Sequence, residues 1–212
     1  MLNVNGLRGK WAEVSVYLSS FDIFTFVETK IDEKVTNGSL TISGYNITRH
    51  DRNSNGGGVI TYCKTHLNPV SLECLQSKAV KDGLEVTVTK ISLRKPFRIM
   101  IIIGVYRPPQ ARVQWFSLFN ELVLDAAKLG EIFICGDLNA DLMKDSQYPG
   151  SHLLHSLALA NCKVSATCPT RIHVGEGHVS TSLPHRLRRN ACSMLSETLL
   201  SVIIHRWKPR SG

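Results

Sequence analysis

Gly136, Asp137 and Asn139 close the apolar run Ile132-Phe133-Ile134-Cys135. A buried strand that stops on glycine can present an acid and an amide to one open face, because side chains two apart on a strand share a side. One of the two could then coordinate a metal ion or polarise water while the other hydrogen-bonds a phosphate oxygen. The design recurs where Phe24-Thr25-Phe26-Val27 runs into Glu28-Thr29, and where Ile99 to Val105 runs into Tyr106-Arg107-Pro108-Pro109. Leu2-Asn3-Val4-Asn5 at the start has the same form. Four apolar strands ending in such groups predict one composite site at a sheet edge. Hard oxygen donors such as Glu28 and Asn3 suit Mg²⁺. Taken singly, each residue also has a plain structural reading: Glu28 a solvated strand end, Asp137 an Asx turn, Tyr106 a core ring with a locally satisfied hydroxyl. The set is more informative than its members.

Two other patterns carry less. Gly56-Gly57-Gly58 matches neither the P-loop nor the dinucleotide fingerprint, and no helix follows it, so it reads as a flexible loop entering a strand. His152 and His155 lie three apart on a predicted helix with no acidic residue nearby, which reads as helix surface or core edge.

The elements that must position the site follow from periodicity. Trp11, Val14, Tyr17 and Leu18 predict a helix over Lys10–Ser19, and Trp115 to Ala126 predict another over Arg112–Leu129 that Gly130 ends. A third is expected over Leu153–Ala160. Strands are predicted at Asp22–Val27, Tyr45–Thr48, Val59–Tyr62, Arg98–Tyr106 and Ile132–Cys135. Leu84, Val86 and Val88 alternate with polar residues, which predicts a strand with one wet face. Pro108-Pro109 forbids continuation of the strand before it. Strands alternate with helices, but residues 84–106 read as adjacent antiparallel strands. The expected fold class is therefore α/β (α+β), a layered sandwich rather than a doubly wound parallel sheet.

At 212 residues and 43% hydrophobic content, one globular domain is the natural count. No apolar run approaches the ~20 residues of a membrane helix, and the first residues lack a signal-peptide pattern, so no membrane partner is expected. Cysteines 63, 74, 135, 162, 168 and 192 form no CxxC pair and no zinc spacing, which predicts reduced structural thiols and an intracellular protein. The net charge of +8 is uneven: residues 184–212 hold six arginines and lysines against Glu197, which leaves +3 for residues 1–183. A mildly basic body is compatible with DNA binding without demonstrating it.

Asn3, Glu28, Tyr106, Asp137 and Asn139 stand in a fixed order at strand ends, and in this the chain resembles the endonuclease/exonuclease/phosphatase superfamily. Within it, Leu2 to Lys10, Glu28-Thr29-Lys30, Asn55 to Ile60, Gly104 to Pro109 and Gly136 to Asn139 are most similar to the apurinic-like endonuclease domain of non-LTR, LINE-type retrotransposons. The Tyr-Arg-Pro-Pro and Gly-Gly-Gly-Val segments favour that branch over the repair enzymes. The resemblance covers roughly residues 2–183. It implies a DNase I-like two-sheet β-sandwich flanked by helices and a Mg²⁺-dependent phosphodiesterase that nicks DNA, with Mn²⁺ as an alternative ion. It places Asn3 and Glu28 at the metal, Tyr106 on the scissile phosphate, Asp137 at the attacking water and Asn139 on the transition state, with Asn5 and Arg107 contacting substrate. It also implies a monomer without a small-molecule cofactor, nuclear if functional. A repair nuclease or phosphatase of the same superfamily is the neighbouring reading.

After Pro169-Thr170-Arg171 the resemblance requires a Ser-rich stretch, an Ile-Asp pair and finally a Ser-Asp-His motif. The chain has Ser180 to Leu183, then Pro184-His185-Arg186-Leu187, and neither the aspartate nor the Ser-Asp-His follows. A one-base shift in codons for His-Arg-Leu reads Ile-Asp, so a frame shift near Leu183 is the leading account. A misassigned exon boundary and a genuinely divergent tail are the alternatives. Residues 184–212 are accordingly expected to be an aberrant, poorly ordered basic tail, with the last strands missing and activity impaired. Leu199 to Ile204 could cover the exposed face by chance. A non-catalytic remnant is the alternative of different class.

Overall fold

The computed structural model describes residues 1–18, 20–93, 98–140, 147–164 and 202–206, with Tyr17, Leu18, Arg98 and the last five described as backbone only. One sheet joins β1 (Leu2–Asn3), β2 (Ile23–Val27), β4 (Val59–Lys64) and β3 (Tyr45–His50), in that spatial order. The other joins β5 (Val70–Ser71), β6 (Glu85–Leu93), β7 (Arg98–Tyr106), β8 (Glu131–Asp137), β10 (Val202–Arg206) and β9 (Lys163–Val164). Both sheets are mixed: β1 pairs parallel to β2 and β7 parallel to β8, and all other pairings are antiparallel. The expected sandwich is therefore observed.

Strand parity assigns every residue to one of two layers. On the outer face of the first sheet, Phe24, Phe26, Ile60 and Tyr62 meet Trp11 and Val14 of α1 (Trp11–Leu18). On the outer face of the second, Val86, Val88, Ile101, Ile103, Val105, Ile132 and Ile134 meet α3 (Gln114–Leu129). α2 (Glu73–Lys81) and α4 (Gly150–Leu159) complete that layer through Ala79, Leu153 and Leu157. The predicted face of α3 is the buried one, and of the predicted α1 face Val14 is buried and Trp11 half-buried.

The opposite parity fills the space between the sheets, and there the sequence expectation needs correction. Thr87 and Thr89 do not form a wet face; they are 0% and 2% exposed. Thr87 shares its hydroxyl with Thr61 at 2.7 Å, Thr61 with Thr25 at 3.1 Å, and Thr89 donates to Thr48 at 3.0 Å. Alternation of apolar and polar residues is indifferent to whether the polar side meets water or another polar surface. Here it meets threonines of the facing sheet, so each buried hydroxyl is satisfied. Cys63, Ile91 and Ile102 fill one end of this layer, and Val27, Val59 and Tyr106 fill the other.

Among the described residues, Cys63, Cys74, Cys135 and Cys162 are free thiols, and burial, with Cys135 nearby, pushes the Cys63 thiol up to about 12. No helix among them is long and apolar enough to cross a membrane. Gly56, Gly57 and Gly58 are buried and packed, contrary to a flexible loop.

The tail is only partly described. Val202–Arg206 lies antiparallel to β8, from Val202 opposite Gly136 to Arg206 opposite Ile132, so the position beside β8 is filled. The boundary expected at residue 183, the Pro169 to Arg171 and Ser180 to Leu183 segments, and the poor order expected over 184–201 and 207–212 all lie outside the described residues.

The layer between the sheets leaves no room at Gly104. A Cβ there would sit 2.5 Å from the Thr87 hydroxyl and 2.7 Å from that of Thr61. Gly104→Ala should cost about 1–3 kcal/mol by overpacking, lowering Tm by ~2–4 °C per kcal/mol. Gly9→Ala, with no atom within 4 Å, is the control. Equal melting of the two variants would show that the layer yields.

Candidate active site

The inward parity that carries Thr87, Gly104 and Cys135 continues to Glu85, Tyr106 and Asp137 at the end of the sandwich. Tyr106 lies opposite both Glu85 and Asp137 in the strand register. Asn3 lies opposite Val27, one residue before Glu28. Gly136 lets β8 end this way, because a Cβ there would fall 1.9 Å from the Val105 carbonyl oxygen.

One amide joins the two sheets at this mouth. Asn3 Nδ2 donates to Glu28 Oε1 and to Asp137 Oδ2, each at 3.0 Å. Asn3 Oδ1 accepts from the Asn5 backbone at 3.1 Å, which fixes the amide's orientation. Asp137 Oδ1 accepts from the Asn139 backbone at 3.0 Å, and Asn139 Nδ2 donates to the Arg107 carbonyl at 2.7 Å. Burial first, then the charge of Glu28 and a hydrogen bond to it, with Asp137 and Glu85 beyond, push the Tyr106 hydroxyl well above its ordinary pKa. It therefore stays protonated and serves as a donor. Lys30 reaches the exposed Asn5 side chain and sets a cation on the rim.

The structure thus brings together Asn3, Glu28, Tyr106, Asp137 and Asn139, with Asn5 at the edge. Arg107 is different. Expected as a substrate contact, it is 0% exposed and points into the fold, where its two Nη groups are taken by main-chain carbonyls and Tyr148 while Nε finds no partner among the described residues.

Glu28 (φ 53°), Lys30 (φ 50°) and Asn139 (φ 43°) occupy the left-handed region, which side chains other than glycine visit at a cost. For Glu28 the surroundings hold it there. The Glu28 carbonyl accepts from Gly6 at 2.8 Å and that of Thr29 from Leu7 at 2.9 Å, while Lys30 donates to the Gly57 carbonyl at 3.0 Å. The glycine segment is anchored in turn: Glu85, 6% exposed, accepts from the Gly58 amide at 2.8 Å and pairs with Arg52 at 2.7 Å. Sequence reading missed Glu85 and Arg52. The available signal was an acid placed between Leu84 and Val86, where a charge requires a partner.

As a donor set, the two carboxylates supply hard oxygens of the kind that Mg²⁺ or Mn²⁺ takes, while Asn3 turns its Nδ2 to them and its Oδ1 to the Asn5 amide. Among the described residues no group of three His, Cys, Asp or Glu side chains assembles.

Two facing mixed sheets, helices on their outer faces and an acidic cluster at one end define a DNase I-like sandwich. The chain belongs to the endonuclease/exonuclease/phosphatase family, whose profile matches residues 2–185. Members of this class are hydrolytic nucleases and phosphatases. Among curated proteins no sequence matches the chain. Solved structures share the fold at low identity. The AP endonuclease LMAP from Leishmania major superposes with a TM-score of 0.60 at 15% identity, over 76% of this chain and 66% of that one, just under two thirds of its length. The endonuclease domain of TRAS1, a telomere-specific non-LTR retrotransposon, gives 0.59 at 11%, over 92% and 77%. A variant of the 3′ phosphatase NExo from Neisseria, bound to a product DNA hairpin, gives 0.61 at 16%, over 96% and 84%.

Two outcomes test the support beneath Glu28. Arg52→Ala leaves the Glu85 charge without its partner and should cost about 1–3 kcal/mol, below the fully buried case because Arg52 is partly exposed. Adding Glu85→Gln should restore most of the loss in chemical denaturation; strict additivity would show that the two are uncoupled. His50 adjoins this pair, and burial holds its pKa below 6.5 against the opposing pull of Glu85 and Asp51. The unfolded chain then binds the proton more readily, so His50's contribution is complete above pH 6.5 and is lost as pH falls. His50→Gln should flatten the fall in Tm between about pH 7 and pH 5; an unchanged slope would remove His50 from the account.

Proposed function

We propose that this domain is a metal-dependent phosphodiester hydrolase that nicks DNA, of non-LTR retrotransposon origin, with turnover impaired by its C-terminal sequence. The observation that carries the reading is the Asn3 amide, which draws the Glu28 and Asp137 carboxylates to one point beside a protonated Tyr106. The converging Glu28 and Asp137 carboxylates make a seat for a divalent ion, which they would hold with Asn3 bridging the two. When bound, such an ion acts as a Lewis acid on phosphoryl oxygens and offsets charge that develops there.

The remaining roles belong to side chains. Tyr106 offers a proton to a phosphate oxygen. Asp137, with one lobe on Asn139 and the other on Asn3, keeps fixed lone pairs for the attacking water. Asn139 steadies the phosphate as charge accumulates. Lys30 on the rim favours a polyanion, and the structurally similar NExo variant is bound to a product DNA hairpin. The Tyr106 to Pro109 and Gly56 to Val59 segments support the retrotransposon branch.

Residues 184–212 contain neither the Ile-Asp pair nor the Ser-Asp-His motif that the resemblance requires. Loss of a positioned acid–base group costs ~10²–10⁴-fold in rate. This supports the second reading, a domain that keeps part of its site and turns over little. On supercoiled plasmid with Mg²⁺, the 212-residue chain should nick weakly or not at all. Restoring the family-like frame after Leu183 should recover nicking, and Asp137→Ala should abolish it again. Equal rates for the present and restored chains would show the tail to be a competent substitute. Preference for inositol-phosphate or phospholipid substrates over DNA would move the assignment to a phosphatase.

A further inference from the structure

We propose that Arg107 is a positioning residue that holds the Asp137 to Asn139 segment from inside the fold and so aims both side chains at the mouth. This rests on the reading of Asp137 and Asn139 given above, although its structural half can be measured without any activity.

Arg107 grips that segment at several points. Its backbone N–H donates to the Asp137 carbonyl at 2.8 Å, and its own carbonyl accepts from Asn139 Nδ2 at 2.7 Å. From the side chain, Nη1 lies 3.5 Å from the Leu138 carbonyl oxygen and 3.3 Å from that of Asn139. Nη2 donates to the Ala111 carbonyl at 3.0 Å and to the Tyr148 hydroxyl at 2.8 Å, and Tyr148 donates to the same Ala111 carbonyl at 2.6 Å. The guanidinium carbon stands 5.0 Å from the Phe116 ring centre, 5.6 Å from Tyr148 and 5.9 Å from Trp115.

A fully buried cation is costly unless its surroundings replace water. Arg107 has no carboxylate within ion-pair range among the described residues, so carbonyl dipoles and ring faces carry that burden. The consequence is geometric. One rigid plane takes carbonyls from two segments and is itself fixed by rings of α3, so the placement of the longest helix passes to the loop that bears Asp137 and Asn139. A lysine offers one point charge and cannot serve both segments, and a methionine keeps the volume and loses every bond. The position therefore requires arginine for its shape as well as its charge.

The test uses the 212-residue chain. Arg107→Lys and Arg107→Met are compared with Leu157→Ala, a 2%-exposed residue of the same core. Amide hydrogen exchange at Asn139 and the NMR signals of its side-chain amide report the loop, and exchange at Val105 reports global opening. Both Arg107 variants should raise exchange at Asn139 beyond the change at Val105, whereas Leu157→Ala should move the two together. Mn²⁺ affinity, measured by electron paramagnetic resonance, should fall about 10–100-fold in the Arg107 variants, the usual result of losing a group that orients a ligand, and hold in Leu157→Ala. If Asn139 exchange follows Val105 in both Arg107 variants, the proposal is overturned. It is equally overturned if duplex DNA binding collapses while the loop stays ordered, because Arg107 would then be a substrate contact. If the parent chain binds no Mn²⁺ but the loop loosens as described, the metal-site reading fails and the positioning role stands.

Discussion

Two carboxylates held together by one neutral amide are the constraint on which the rest of the site depends. Glu28 and Asp137 each lie 3.0 Å from Asn3 Nδ2. Two unit charges about 6 Å apart repel by about 3 kcal/mol at an effective dielectric constant of ~20, and an amide offsets this only with its dipole. The fold therefore has to impose the approach. It does so with a two-residue strand that clips Asn3 to β2, a left-handed Glu28 locked between two loops, and a β8 whose last residue but one is a glycine too tightly packed to carry a side chain. Strain and repulsion concentrated in one place, with the surroundings holding them, are the physical signature of a site built for binding or chemistry.

The approach also sets the composition of the interior. Asn3 reaches across from one sheet to Asp137 on the other, so the sheets must come close together behind them. The middle of the layer accordingly carries Gly104 together with Thr25, Thr61 and Thr87, whose hydroxyls bond to one another. Aliphatic side chains fill its two ends and pack more extensively on the outer faces covered by α1 and α3. The same parity that turns Tyr106 and Asp137 toward the mouth turns Gly104 and Cys135 toward the threonines, so site and spacer are alternate residues of the same strands.

This division explains what the sequence disclosed. β7, Arg98–Tyr106, is legible to the residue because it is long, apolar and stopped by Pro108. α1 and α3 are legible because one face of each is apolar at helical spacing. The cluster of Asn3, Glu28, Tyr106, Asp137 and Asn139 is legible because each follows a strand. α2 was not foreseen: its apolar residues are few, and it is fixed by tertiary contacts such as Gln76, which donates to the Arg49 carbonyl and accepts from Val88. Thr87 was read as wet because alternation does not name the opposing surface. Arg107 was placed at the substrate by resemblance alone. Its burial depends on Tyr148, 41 residues away, and on ring faces that no local pattern reveals.

On the proposed function, binding and turnover fall to different parts of one chain. Every hydrogen bond described at the mouth is made among residues 3–148: the Asn3 bridge, the Glu28 loop, the Arg52–Glu85 anchor and the Arg107 grip. β8 is paired along its length by β7 and covered by α3, so Asp137 is placed from that side whatever lies beside the other edge. Val202–Arg206 occupies that other edge through main-chain pairing, which is tolerant of sequence. The edge strand can therefore complete the sheet whatever side chains it carries. On the proposed function, the cation seat and the phosphate donors belong to residues 3–148, whose contacts at the mouth are made among themselves, and the Ile-Asp and Ser-Asp-His motifs that the resemblance requires are absent from residues 184–212.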